Sequence, residues 1–202
     1  MVLAPIAAHA QIGSVNLTLS GYPYQALNGG GFSTSSFVFT PNAGAPINFA
    51  QFVVWCIDNT RNVDPNGGNY TYSLYTLAGF AATGLGSGVP FNSDPDLDDM
   101  TRIASNLQGF QNQADNATWV SGAANDATQQ STWDIFNTGA AGGNGAFTGG
   151  GNWFILYNGR NQTLGVRFPD PNIVVPEPST YAMMAMGLVG LAGFARRRRN
   201  NA

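Results

Sequence analysis

Asn48–Asp58, NFAQFVVWCID, is the most apolar stretch ahead of residue 175, and the fold is read outward from it. A continuous apolar run of this length predicts a strand buried on both faces. Period-two segments flank it. Ser14–Ser20 alternates Val15, Leu17 and Leu19 with polar neighbours, Phe32–Thr40 reads FSTSSFVFT, and Asn69–Leu77 (NYTYSLYTL) alternates Tyr70, Tyr72 and Leu74 with small or polar residues. After two Gly-rich turns the period lengthens. Asp98-Asp99 opens a stretch with Met100, Ile103, Ala104 and Leu107 at helical spacing, and acids there suit the N-terminal end of a helix dipole. A second helix is predicted over Asn125–Phe136, with Asp126 as its cap. Gly139–Asn152 reads as a loop, and Trp153–Tyr157 and Leu164–Phe168 return to strand. The order β-β-β-β-α-α-β-β predicts an α+β fold: an antiparallel β-rich domain with two helices inserted between strands.

Composition narrows the function classes. Charged residues are 9% of the 202, against about 25% in an ordinary soluble domain, while Gly reaches 26 residues. Such a balance suggests a β-rich extracellular domain with many turns. Four of the eight basic residues are Arg196–Arg199, so the chain before them carries Arg61, Arg102, Arg160 and Arg167 against eleven acids, a net −7. Nucleic acid is a poor partner for a body this acidic, which has no cluster of cations to meet phosphate. One cysteine, Cys56, excludes an intramolecular disulfide. The only histidine, His9, sits in a segment expected to be removed. Without it, Ser-His-Asp and Cys-His mechanisms and His-ligated metal sites are excluded. No metal and no cofactor are expected.

Both ends read as addresses. Ala8-His9-Ala10 has the A-x-A form of a signal-peptidase site, making residues 1–10 the remnant of a signal peptide and 11–172 the β-rich extracellular domain. Within 173–202, Val175-Pro176-Glu177-Pro178 precedes an uncharged run that includes Tyr181, Leu188, Leu191 and Phe194 and ends at Arg196-Arg197-Arg198-Arg199. Tyr181–Ala195 would make about 22 Å of helix at 1.5 Å per residue, a short transmembrane helix and a weak anchor. The arginines would hold its end in the cytoplasm. Pro176 and Pro178 cannot continue the helix, leaving an extended segment outside.

This order of residues resembles the PEP-CTERM sorting signal of Gram-negative bacteria. The resemblance implies transient inner-membrane anchoring and cutting near Pro-Glu-Pro by an exosortase, a membrane-embedded cysteine protease. It further implies delivery to the cell surface or matrix of exopolysaccharide-producing species.

Inside the body, Trp55-Cys56-Ile57-Asp58 is followed much later by Thr128-Gln129-Gln130-Ser131-Thr132-Trp133. The two segments resemble the thioester domains of bacterial surface adhesins, in which an aromatic-Cys motif on a strand meets a T-Q-x-A-hydrophobic-W motif on a helix. The resemblance implies Cys56 as the sulfur, Gln129 as acyl donor and Trp133 as a packing aromatic. Ser131 and Thr132 depart from the motif. The competing reading is a buried Cys that packs as a small hydrophobe.

Three further readings compete. Asp94, Asp96, Asp98 and Asp99 could hold Ca²⁺, but a helix cap fits them better, since the Gly and distal Glu of an EF-hand loop are missing. Asp58, Asp126 and Asp134 could serve a secreted glycan-active hydrolase, though their spacing selects no pair. Tyr22, Tyr24, Tyr70, Tyr72 and Tyr75 could stack on sugars or simply pack. The expectation is therefore a non-enzymatic, exosortase-sorted envelope or matrix protein associated with exopolysaccharide or biofilm. A thioester adhesin is the alternative and a hydrolase the third reading.

Overall fold

The computed structural model describes residues 11–85, 95–139 and 152–168. Among the described residues seven strands are present: β1 (Gln11–Ala26), β2 (Gly29–Pro41), β3 (Ile47–Phe49), β4 (Phe52–Cys56), β5 (Asn66–Thr76), β6 (Trp153–Tyr157) and β7 (Leu164–Arg167). Three helices, α1 (Leu77–Ala81), α2 (Leu97–Asp115) and α3 (Ala123–Thr138), lie between β5 and β6 in the chain. Every pairing is antiparallel. The order β1-β5-β6-β7-β4-β2 returns to β1 through a β1–β2 ladder, closing a six-stranded barrel with β3 outside the circuit on β2.

The expected antiparallel, β-rich class stands; closure and the short helix α1 are additions to it. The single strand expected over Asn48–Asp58 is two. β3 pairs Phe49 with Phe37 and β4 pairs Phe52 with Thr34, so the ladder along β2 opens at Ala50 and Gln51 without changing register. Both of those residues are exposed.

Alternation explains why β4 is apolar throughout. Trp55 and Ile57 join Tyr75, Trp153 and Ile155 in one cluster with Met100, Ile103, Leu107 and Phe110 of α2 and Ile135 and Phe136 of α3. The opposite parity, Val54 and Cys56, is equally buried and faces into the barrel. Farther along the interior, Phe37 stacks on Phe52 at 4.5 Å between centroids and Phe168 packs on both. The indoles facing the helices are satisfied: Trp55 Nε1 donates to Gln111 Oε1 (3.1 Å) and Trp153 Nε1 to Gln108 Oε1 (3.0 Å). Gly165 lets α2 approach, because a Cβ there would overlap Leu107 Cδ1.

Two caps differ from expectation. α2 starts at Asp96, whose carboxylate accepts from Asp99 N (2.9 Å) while Asp99 accepts from Asp96 N, a reciprocal capping box. Asp98 and Asp99 therefore lie inside the first turn rather than at the cap. α3 has Gly122 at its N-cap with no side-chain bond, and Asp126 instead accepts from Leu27 N at 2.8 Å, tying the β1–β2 turn to α3.

No described helix is long and apolar enough to cross a membrane. The expected tail helix and its Tyr181, Leu188, Leu191 and Phe194, the arginines 196–199, the Val175–Pro178 motif and the signal site at Ala8 and Ala10 lie outside the described residues.

Candidate functional site: a buried cysteine between two glutamines

Cys56 closes β4 at the end of the barrel where β2 and β7 begin. It is fully buried, as is Gln129; Gln162 is 5% exposed and Trp133 6%. The β4–β7 register pairs Cys56 with Leu164, and Ile57 N donates to Thr163 O at 3.1 Å. Gln162 is two residues from Leu164 and shares its parity, so it is the diagonal neighbour of Cys56, within reach of a long side chain.

That reach is used. Gln162 Nε2 lies 2.7 Å from Cys56 Sγ and 2.7 Å from Asp58 O. An ordinary N–H···O bond is about 2.9–3.0 Å long, and sulfur is larger than oxygen, so this contact is tight. The carboxamide carbon is one bond of about 1.33 Å beyond the nitrogen, which puts it no farther than about 4 Å from the sulfur. Reacting atoms in a near-attack arrangement are about 3–3.5 Å apart.

From the helix side, Trp133 Nε1 donates to Cys56 Sγ at 3.2 Å and Gln129 Nε2 to Cys56 O at 3.0 Å. Gln129 and Trp133 are four apart and share a face of α3. They reach Cys56 because β2 begins with glycine: a Cβ at Gly29 would overlap the Trp133 ring and sit 3.3 Å from Gln129 Cδ. Gln129 Oε1, the other arm of the same carboxamide, is buried without a hydrogen-bond partner among the described residues.

Burial pushes the Cys56 thiol up to about 12, with the hydrogen bonds from Trp133 and at Asp58 pulling the other way. The thiol is therefore neutral at physiological pH, and Sγ stands 3.4 Å from Asp58 O as a donor. Burial likewise raises the phenols of Tyr22 and Tyr72, and the charge a Cys56 thiolate would carry adds to both shifts. Tyr72 Oη donates to Gln162 O at 3.0 Å, fixing the segment that carries the glutamine.

The structure brings Cys56, Gln129 and Trp133, the residues of the thioester resemblance, together. It differs in the partner of the sulfur: the amide on Sγ is that of Gln162, while Gln129 bonds the main-chain carbonyl. Sequence reasoning missed Gln162. Nothing local distinguishes Asn161-Gln162-Thr163-Leu164 from other polar entries into strands, and only the β4–β7 register brings it to Cys56.

The remaining candidates are committed elsewhere. Asp58 is buried and accepts from Thr60 N (2.7 Å), Thr60 Oγ1 (2.6 Å) and Thr163 Oγ1 (3.2 Å). Asp126 holds Leu27, and Asp134 accepts from Gln130 at 2.7 Å. Asp96, Asp98 and Asp99 lie together, but Arg102 reaches both Asp98 and Asp99 at 2.8 Å and the capping box uses the rest. Asp94 lies outside the described residues. Tyr72 and Tyr75 are buried, and Tyr24 stacks on Trp55, so these rings pack rather than form a platform.

Residues 174–199 match the PEP-CTERM protein-sorting motif. The motif implies exosortase-dependent sorting of an exported protein, with transient membrane anchoring and then the cell surface. No curated protein and no solved structure matches the chain at a significant level.

Proposed function

We propose that this is a surface or matrix protein of an exopolysaccharide-producing bacterium, whose barrel carries an internal thioester between Cys56 Sγ and Gln162 Cδ. The observation that carries the reading is the 2.7 Å approach of the Gln162 amide to the sulfur in a buried pocket. Formation is balanced without an external reagent. The sulfur bonds to Cδ, the Cδ–Nε2 bond breaks, the thiol proton moves to the nitrogen, and one ammonia leaves. Positioning supplies the effective concentration that the absence of a histidine base would otherwise deny. Burial keeps water from the acyl group. Trp133 and Gln129 act as positioning residues on α3.

The thioester then reacts once, with a primary amine of a partner, leaving an amide to Gln162 and a free Cys56 thiol. Such a module attaches; it does not turn over, and in this sense the protein is non-enzymatic. The motif at 174–199 supports the setting, because exosortase cutting near Pro176 would release the barrel from the sorting tail on the outer side of the membrane. Signal peptidase would act earlier, after Ala10.

Incubation with methylamine followed by peptide mapping tests the reading. The expected adduct is on the peptide containing Gln162 and requires Cys56. An adduct on Gln129 instead would return the acyl role to the helix, and none on either would reduce Cys56 to packing.

A further inference from the structure

Gln129 poses a problem that positioning does not solve. Its Nε2 has a full hydrogen bond to Cys56 O, but its Oε1 is fully buried and unpartnered among the described residues. A buried acceptor left unpaired is unfavourable, and such groups in native proteins call for a reason. The orientation of the amide is not arbitrary. Cys56 O is an acceptor and demands the nitrogen, so the oxygen is forced to the other side.

We infer that Gln129 is a specificity residue of the thioester, its Oε1 receiving an N–H of the ammonia that leaves Gln162 and later an N–H of the amine that attacks. This rests on the Cys56–Gln162 reading above. A primary amine attacks through its lone pair and still has N–H bonds to donate. An alcohol has one O–H, which it must give up in the reaction, and so has nothing left for the Gln129 oxygen. In the acyl transfer the amine nitrogen bonds to Cδ, the Cδ–Sγ bond breaks, and the surplus amine proton passes to the departing sulfur. The thiol's high affinity for a proton suits it to accept that proton. Sites built to hydrogen-bond a substrate N–H reject analogues that lack it, because the protein's own group is then left unpaired.

The test compares acyl transfer from the intact protein to methylamine and to methanol, with a small-molecule alkyl thioester as reference. The protein should prefer methylamine by at least about tenfold more than the reference does, the scale of one hydrogen bond. Gln129→Met, which removes the acceptor, should bring the ratio back to that of the reference. Gln129→Glu assayed at about pH 5, where a buried carboxyl stays protonated and offers both an O–H and a C=O, should restore it. An unchanged amine-to-alcohol ratio in Gln129→Met, with all transfers slowed equally, would mean that Gln129 only braces Cys56 O. A wild-type ratio equal to the reference overturns the inference even if neither variant folds. Absence of ammonia loss in the wild type would instead overturn the thioester itself.

Discussion

The amide nitrogen of Gln162 sits 2.7 Å from the sulfur of Cys56, although 106 residues separate them in the chain. The β4–β7 pairing within the sheet creates this contact. β7 pairs with β4, and Gln162, two residues ahead of that ladder on one strand, meets Cys56, the last residue of the other. The local chemistry of either segment does not announce it.

Trp133→Phe keeps an aromatic ring on α3 but removes the N–H that reaches the sulfur. The variant should lose about 1 kcal/mol of stability, the net worth of one hydrogen bond. It should also form the thioester more slowly. Denaturant midpoints and a time course of ammonia release measure the two effects separately.

The thiol form should respond to base and the thioester form should not. Burial pushes a free Cys56 thiol up from the ordinary 9.0 to about 12 in the folded protein. Because the folded value is raised, the stability this group contributes is present below about pH 9 and is lost as pH rises toward 12. Tyr22 and Tyr72 shift in the same direction from 10.0, so Cys56 dominates the first part of the loss, between 9 and 10. Thermal melts from pH 8 to 10 should show a decline in amine-quenched protein, whose thiol is free, and little in the thioester form. A decline of the same size in Cys56→Ala would assign the effect elsewhere.

Gly29→Ala and Gly165→Ala test two close approaches with different consequences. At Gly165 the added methyl meets Leu107, so the cost should be overpacking of about 1–3 kcal/mol with the sulfur chemistry intact. At Gly29 it meets the Trp133 ring and Gln129 Cδ. That variant should lose stability and thioester formation together. Equal chemistry in both would show that the contact between α3 and β2 does not hold the site.

Replacing Pro176-Glu177-Pro178 by alanines should leave an uncut, membrane-retained precursor in an exosortase-bearing host, while the wild type appears outside with its C-terminal tag lost. Fractionation with an N-terminal and a C-terminal tag reads both species. Release of the variant with the tail cut as before would remove the Pro-Glu-Pro segment from the account.

Much of the architecture was legible in the sequence because its signals are local. The period-two runs place β1, β2 and β5, and the spacing of Met100, Ile103 and Leu107 places α2. Asn48–Asp58 reads as one strand because a single Gln51 does not break so long an apolar run, whereas the pairing of both halves to β2 is a tertiary fact. Asp126 looked like a cap because acids favour helix starts, but the turn at Leu27 competes for its carboxylate. The candidate site was half legible. Cys56 and the Gln129–Trp133 face of α3 follow from motif spacing, whereas Gln162 depends on strand register between distant segments, which no short window contains.

The central claim is a covalent bond between Cys56 and Gln162, and intact mass measured on the purified, untreated chain tests it most directly. The wild type should lack the mass of one ammonia, and Cys56→Ala and Gln162→Ala should each retain it. Full mass in the wild type, with Cys56 alkylated one-to-one after unfolding, would contradict the account.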